Sequence, residues 1–276
     1  AWKVKLHGVT LEDVVDGVSE SKENYEQQLT SYPVDPADWQ SWLTELESEL
    51  IRGEAHFLQD DPVSIDGVDY RLVDMIGYFA DPTHEEFILS SPYLIPVGDF
   101  FKTLEKGVNR GVQIRLFTNS LASTNHTMVN SHYKKYRKRI LDKGGQLYEF
   151  NHQPSEQIRA LADVDPVTAK FISLHAKVMV SDRKKCFIGS LNLDPRALVI
   201  NSENGLLIDS PEFSKQLAEI LNDVMAPHNS WQVSLNEQGG VEWQSEDELR
   251  TSQPGRSIFQ KIGDFFGRFL PIEGQL

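Results

Sequence analysis

From Phe87 to Phe150, apolar runs of strand length alternate with stretches whose apolar residues recur at helical spacing, and this alternation restricts the fold more than any other feature of the chain. The spacing predicts a helix near Val68–Ala80, a strand at Phe87–Leu94, a helix at Phe100–Asn109, a strand at Val112–Thr118, a helix at Asn130–Lys143 and a strand at Gln146–Phe150. Strands separated by helices need crossover connections, which imply parallel pairing. Gly111 and the pair Gly144-Gly145 fall where a helix would end in a left-handed cap before the next strand. Beyond a polar connection at residues 151–170, strands are expected at Ser173–Ser181, Lys185–Leu191 and Glu203–Ile208, then a helix at Pro211–Met225 capped by Ser210. The class implied is α/β, a mixed and mostly parallel sheet flanked by helices.

Residues 1–62 are acidic and rich in Ser, Gln and Glu, with one helix expected at about Ala37–Arg52 carrying Trp39, Trp42, Leu43, Leu46 and Leu50 on one stripe. They are read as an acidic helical connector or cap, and residues 63–276 as a catalytic domain. The net charge of -14 is uneven: residues 1–86 hold 20 acidic and 5 basic side chains, against 21 and 22 in the remainder. A near-neutral catalytic portion lacks the basic surface that tracks nucleic acid, so nucleic acid is not expected as a partner. No apolar run reaches the roughly 18 residues of a membrane span. Because the sequence opens on Ala1 rather than Met, further residues are expected upstream. The single cysteine, Cys186, lies in an apolar run and reads as a core residue.

Chemistry concentrates further along. His175 and Lys177 stand two apart on an expected strand and so share a face. After a turn around Asp182, the next strand offers Ser190 and Asn192, again two apart. Imidazole can attack phosphorus when neutral or protonate a leaving alkoxide when charged, while Lys177, Ser190 and Asn192 would hold the non-bridging oxygens of a phosphodiester. Glu203, at the start of the following strand, is expected to accept the Nδ1 proton of His175 and fix its tautomer. Asp182 is expected to support the turn through backbone or salt-bridge partners.

Together, His175-x-Lys177, four residues, Asp182, six residues and Gly189-Ser190-x-Asn192 resemble the signature of the phospholipase D superfamily. Such a match arises by chance in about a few per million chains of this length at average residue frequencies. The resemblance extends to the bacterial cardiolipin synthase branch, its C-type synthases above all, through Ser91-Pro92-Tyr93, Thr118-Asn119-Ser120-Leu121, Tyr136-Arg137, Asn192-Leu193-Asp194-Pro195-Arg196, Glu203-Asn204-Gly205 and Leu270-Pro271-Ile272-Glu273. Asn130 stands where that branch carries a histidine.

The resemblance implies a phospholipase D-like sandwich fold and a phosphatidyltransferase that forms cardiolipin through a phosphohistidine. It implies His175, Lys177, Asp182 and Glu203 as catalytic residues, Lys177, Ser190 and Asn192 as the phosphate-binding set, and neither metal nor cofactor. Family sites combine two His-Lys-Asp motifs. This chain carries one, because His132-Tyr133-Lys134 lacks the later Asp and Gly-Ser-x-Asn. The chain is therefore expected to be a C-terminal half, nearly inactive by itself, whose partner half lies upstream or in a homodimer. Phospholipids are the implied substrates, in the cytoplasm or peripherally on the inner membrane of a bacterium. The other readings are a phospholipase D or nuclease-type hydrolase, and a catalytically silent interaction domain.

Two further features bear on surfaces. The basic run Lys134, Lys135, Arg137, Lys138 and Arg139 reads as a solvated helix. Ser257–Leu270 places Ile258, Phe259, Ile262, Phe265, Phe266, Phe269 and Leu270 on one stripe, expected to dock on its own domain rather than in a membrane interface.

Overall fold

The computed structural model describes residues 36–60, 79–96, 98–163, 168–246 and 248–276, together with residues 15, 16, 19 and 72. Two compact units divide between Ile51 and Arg52. The first contains helix α1, Pro36–Glu49, on which the rings of Trp39 and Trp42 meet edge to face at 6.3 Å. The second contains strands β1 Glu54–Gln59, β2 Glu86–Ser90, β3 Gln113–Asn119, β4 Gln146–Phe150, β5 Val178–Ser181, β6 Lys185–Gly189, β7 Asn204–Asp209, β8 Ser230–Leu235, β9 Val241–Gln244 and β10 Leu249–Arg250. Its helices are α2 Phe100–Asn109, α3 Thr127–Tyr133, α4 Arg137–Asp142, α5 Glu156–Ala160, α6 Pro195–Val199, α7 Pro211–Val224 and α8 Ile258–Gly267.

The strands form one ten-stranded sheet in the order β1-β7-β6-β5-β2-β3-β4-β8-β9-β10. Among the strands described, β2–β3 and β3–β4 pair parallel and the other strand ladders are antiparallel. The sheet is mixed, as expected, but it is not mostly parallel. Among the described residues, helical crossovers between neighbouring strands occur where α2 joins β2 to β3 and α3 with α4 joins β3 to β4, while α7 carries the chain from β7 across the sheet to β8. The other neighbours include hairpins, which a helix-strand alternation does not reveal. β1 belongs to this sheet through its ladder with β7, so the unit that holds the sheet starts before residue 63. The helix expected near Val68–Ala80 lies largely outside the described residues.

Alternation along the central strands feeds two cores. Phe87 and Leu89 of β2, Met179 of β5 and Phe187 of β6 point to one face with Phe101 and Leu104 of α2 and Ile140 of α4. Ile88, Val178, Val180 and Cys186 point to the other with Ala218 and Leu221 of α7. Strands covered on both faces read as continuous apolar runs, which is how β2 and β5 were legible. Ser210 caps α7 by accepting the backbone N–H of Phe213.

The helix expected at Asn130–Lys143 is two helices. At the junction Lys135 N–H donates to His132 O and Tyr136 N–H to Tyr133 O, bonds that tighten the turn. The basic run is only partly solvated, because Arg137 is buried. Its Nε donates to Glu149 Oε1 at 2.5 Å, while Tyr133 Oη and Trp243 Nε1 donate to the same fully buried carboxylate at 2.8 and 2.9 Å. The guanidinium also lies 4.7 Å from the ring centre of Tyr133 and 5.3 Å from that of Trp243. This network ties α3, α4, β4 and β9 into one body. Burial and the Glu149 charge together push the Tyr133 phenol well above its ordinary range, so it stays a hydrogen-bond donor.

The β5–β6 turn is built on Asp182 and Arg183, both left-handed with φ of 50° and 53°, and Lys184 N–H closes it on Ser181 O at 3.0 Å. Two consecutive left-handed residues give the twist a tight hairpin requires. Asp182 offsets the strain by accepting the N–H groups of His84, Glu85 and Glu86. Burial raises its pKa, but those three N–H groups together with Lys184 outweigh it and hold the carboxyl below its usual range.

Two outcomes are expected. Glu149→Ala strands the Arg137 charge in the core and should cost about 3–5 kcal/mol of stability in denaturant unfolding, near what loss of one partner of a buried pair produces. Asp182→Asn should cost about 1–2 kcal/mol. Since the folded pKa is depressed, the wild-type advantage over Asp182→Asn is full above the ordinary carboxylate value of ~3.9 and fades as pH falls through the folded value. An advantage that persists unchanged under strongly acidic conditions contradicts the role given to the charge.

Candidate active site

The carboxyl ends of β1, β2, β3, β4 and β6 and the amino ends of β5 and β7 all lie at one edge of the sheet, as the registers Ser90↔Val178, Val178↔Ile188, Gly189↔Gly205 and Gln59↔Asn204 require. Polar groups following these strand ends therefore gather at one place, outside the hydrogen-bonded ladders, where α/β sheets commonly bind ligands. The residues picked out in the sequence sit there, apart from Asp182, which lies beyond the opposite end of β5 and performs the turn role just described.

The strand expected at Ser173–Ser181 begins only at Val178. The segment before it is held by side chains instead of a ladder. Asn119, buried at the end of β3, donates Nδ2 to Leu174 O at 2.9 Å and accepts the Leu174 N–H on Oδ1 at 3.0 Å. Its Nδ2 also reaches Pro92 O, and Ser123 Oγ donates to its Oδ1. Ser90 Oγ donates to Ala176 O at 3.3 Å. These bonds grip the residues on either side of His175 and leave its ring exposed.

His175 and Lys177 meet, although by another route than a shared strand face. Lys177 folds back to place Nζ 2.9 Å from His175 O, 3.1 Å from Nδ1 and 3.3 Å from Nε2. Burial, the Lys177 charge and His126 each lower the histidine pKa, favouring the neutral ring. Burial also lowers the Lys177 pKa, against the pull of Glu203 and Asp194.

Ser190 and Glu203 form the second pair. Ser190 Oγ donates to Glu203 Oε2 and accepts the Asn204 N–H at 3.0 Å. Glu203 is buried, and its other oxygen accepts Asn201 Nδ2 at 3.1 Å. The expected Glu203–His175 bond is therefore corrected: the carboxylate is occupied by Ser190 and Asn201, and the imidazole nitrogens face an ammonium. Strand spacing could not reveal this, since Glu203 precedes β7 and its backbone is paired with Asp60. Asn192 is half-buried, with Oδ1 enclosed and lacking a hydrogen-bond partner. Among the described residues, no hydrogen bond links the His175–Lys177 pair to the Ser190–Glu203 pair.

Gly189 explains itself by packing. A Cβ there would stand 2.4 Å from Asn204 O and 2.7 Å from the Phe187 ring, and one at the facing Gly205 would meet the same ring at 2.4 Å. The two glycines let Phe187 lie across β6 and β7 while those strands stay paired.

Sequence reasoning missed three contributors. Asn119 positions Leu174, and its only signal was its place in the family-like Thr118–Leu121 element. His126 stands close enough to act on the His175 charge and packs edge-on against Tyr93 at 5.4 Å. Asp194, buried and capping α6 through the Ala197 N–H, acts on Lys177. Burial raises the Asp194 pKa. His132 is fully buried and bonded to Glu273 at 3.0 Å, so it belongs to the scaffold.

The arrangement offers an imidazole biased toward its neutral form beside an ammonium, a hydroxyl on a buried carboxylate and a carboxamide whose oxygen is enclosed. Comparison with known proteins places the chain in a family. The chain is 30% identical over 238 residues to cardiolipin synthase C of Escherichia coli (strain K12), covering 81% of this chain and 48% of that protein. It is 25% identical over 231 residues to cardiolipin synthase B of the same strain, covering 82% and 47%. It thus spans about half the length of the curated relatives it matches. A solved phospholipase D family member, Nuc from Salmonella typhimurium, aligns at 18% identity and TM-score 0.44 over 62% of this chain and 93% of that one, too distant to add to the argument. Residues 79–225, more than half of the chain and including both polar pairs, match the family described as "Cardiolipin synthase, PLD-like domain", and the chain belongs to that family.

Proposed function

We propose that this chain supplies one catalytic half of a phosphatidyltransferase that forms cardiolipin, with His175 carrying the phosphatidyl group. The single observation behind this reading is the approach of Lys177 Nζ to both ring nitrogens of His175. A neighbouring ammonium disfavours the imidazolium, and in the neutral ring one nitrogen carries the lone pair that attacks phosphorus once the Lys177 ammonium turns to the phosphoryl oxygens.

In the first step a ring nitrogen of His175 bonds to phosphorus of a phospholipid while the bond from phosphorus to the headgroup oxygen breaks. The departing alkoxide takes a proton from the histidine of a second His-Lys-Asp half, present in the same protein or in a second copy. In the second step a lipid hydroxyl attacks the phosphohistidine, loses its proton to that same group and frees His175. Lys177, Ser190 and Asn192 bind the non-bridging oxygens, which gain charge in the transition state. Glu203 acts through Ser190, holding its hydroxyl in place. The near balance of charge over residues 87–276 supports a lipid headgroup over nucleic acid. The enzyme works at the inner membrane surface of a bacterium, where both lipids reside.

Lipid mass spectrometry of a synthase-deficient bacterium tests the reaction. Expressing the full-length protein should restore cardiolipin, and His175→Ala should lower it by about a thousandfold or more. Cardiolipin made at the wild-type level by the variant would remove His175 from the mechanism; phosphatidic acid as the sole product would make the enzyme a hydrolase. A second measurement tests the electrostatics. In an NMR titration the His175 imidazole should protonate below the ordinary value of ~6.5, and Lys177→Met should move its midpoint upward by removing the neighbouring charge. No upward movement means that Lys177 does not set the protonation state.

A further inference from the structure

Helix α8 packs inside out. It buries Asp264 and Gly267 and exposes Ile258, Phe259, Ile262, Phe265 and Phe266, with Phe269 and Leu270 continuing the stripe. The sequence leads one to expect the reverse, the apolar stripe docked on the domain. The inversion is fixed by specific contacts. At Gly267 a Cβ would meet Met128 Sδ at 2.7 Å and Ser131 Oγ at 2.8 Å, so α3 and α8 approach closely only without a side chain there. Asp264 takes the Lys134 ammonium and, at 2.6 Å, Gln253 Nε2. Phe259 is 81% exposed, more than an isolated surface residue needs; a contiguous stripe of this size marks an interaction surface.

The charges around the stripe identify what it meets. From Arg250 to Ile272 the only acidic residue is Asp264, which is buried and paired, whereas Arg256, Lys261 and Arg268 border the stripe. The Arg268 guanidinium lies 4.4 Å over the Phe265 ring and 4.6 Å over Phe269. An apolar face rimmed by cations that have no carboxylate partner among the described residues complements an anionic lipid surface. Ten residues of helix span roughly 15 Å, half of a ~30 Å hydrocarbon core, so the helix lies in the membrane plane. None of the described helices is long and apolar enough to cross a membrane.

We infer that α8 is an interfacial helix that embeds its phenylalanine face in an anionic bilayer and holds the His175 edge of the sheet against the lipid surface. The second part follows from how the amino end of α8 is tied down. Gln260 Nε2 donates to Leu121 O at 2.6 Å and Arg256 Nη2 to Thr124 O at 3.1 Å, in the loop that follows Asn119. The Arg256 guanidinium also stacks on Phe171 at 3.4 Å, four residues before His175. The helix is thus fastened to both segments that flank the catalytic histidine. This inference stands on packing and charge, and so can fail or succeed apart from the reaction assigned above.

Co-sedimentation of the full chain with phosphatidylglycerol–phosphatidylcholine vesicles tests it. Wild type should partition onto these vesicles and much less onto phosphatidylcholine alone. The double variant Phe259→Ser/Phe266→Ser should lose about tenfold or more in partitioning, with an unchanged melting temperature because both side chains are exposed. Phe57→Ser, at an exposed apolar position on β1, should bind like wild type. Lys261→Glu/Arg268→Glu should weaken binding to anionic vesicles only. Phe266→Trp should become quenchable by brominated lipid on vesicle binding. Absent wild-type partitioning, undiminished binding of the double phenylalanine variant, or no quenching would each overturn the inference. So would a concentration-dependent dimer that the double variant dissolves, which would show a second copy covering the face. Vesicle binding by a full-length protein that makes no cardiolipin in the synthase-deficient bacterium would leave it intact and overturn only the reaction.

Discussion

β2 is hydrogen-bonded parallel to β3 on one side and antiparallel to β5 on the other, and the site depends on that change of direction. Helical crossovers carry the chain past β3 to β4, so Ser90 and Asn119 emerge at the same edge. The return places residues 174–177 at that edge, at the amino end of the antiparallel β5, and β6, running the same way as β2, brings Ser190 there at its carboxyl end. Buried on both faces, β2 and β5 have little freedom to shift register, since a slip of one residue would exchange the two cores. The alignment of Asn119 with Leu174 follows, and with it the position of His175.

The motif from His175 to Asn192 divides into scaffold and candidate chemistry when its neighbours are considered. Gly189 provides space for Phe187, and Asp182 satisfies three backbone N–H groups while forming a strained turn. His175, Lys177, Ser190 and Asn192 face the open edge. Glu203 stands between these roles, buried itself but bonded to a hydroxyl that can reach a ligand. The electrostatics agree with that division, since the partial desolvation of His175 and the ammonium beside it both favour the neutral form.

Polar burial shapes the other side of the domain as well. The Glu149 carboxylate gathers Arg137, Tyr133 and Trp243, and Asp264 gathers Lys134 and Gln253. Buried charges are costly unless paired, so these two carboxylates dictate which faces of α3, α4 and α8 turn inward. Apolar periodicity on α8 is overruled by one charged pair and one glycine, and its phenylalanines are left outside.

Much was legible in the sequence alone. Its periodicity located α2, β3, β4, β6, β7 and α7 to within a few residues, because each is covered by the core in a regular pattern, and the His175 to Asn192 spacing pointed to the family and to the candidate reacting groups. The short strands β8, β9 and β10 and the brief helices α5 and α6 were not legible, since too few residues repeat in them to establish a period. Strand direction, the split between α3 and α4, the Ser190–Glu203 pairing and the clamp of Asn119 on Leu174 were decided by tertiary structure. Each depends on groups far apart in sequence, Asn119 and Leu174 by 55 residues. A pattern along the chain records which groups are present and which side of an element each occupies; only the packed sheet determines which of them meet.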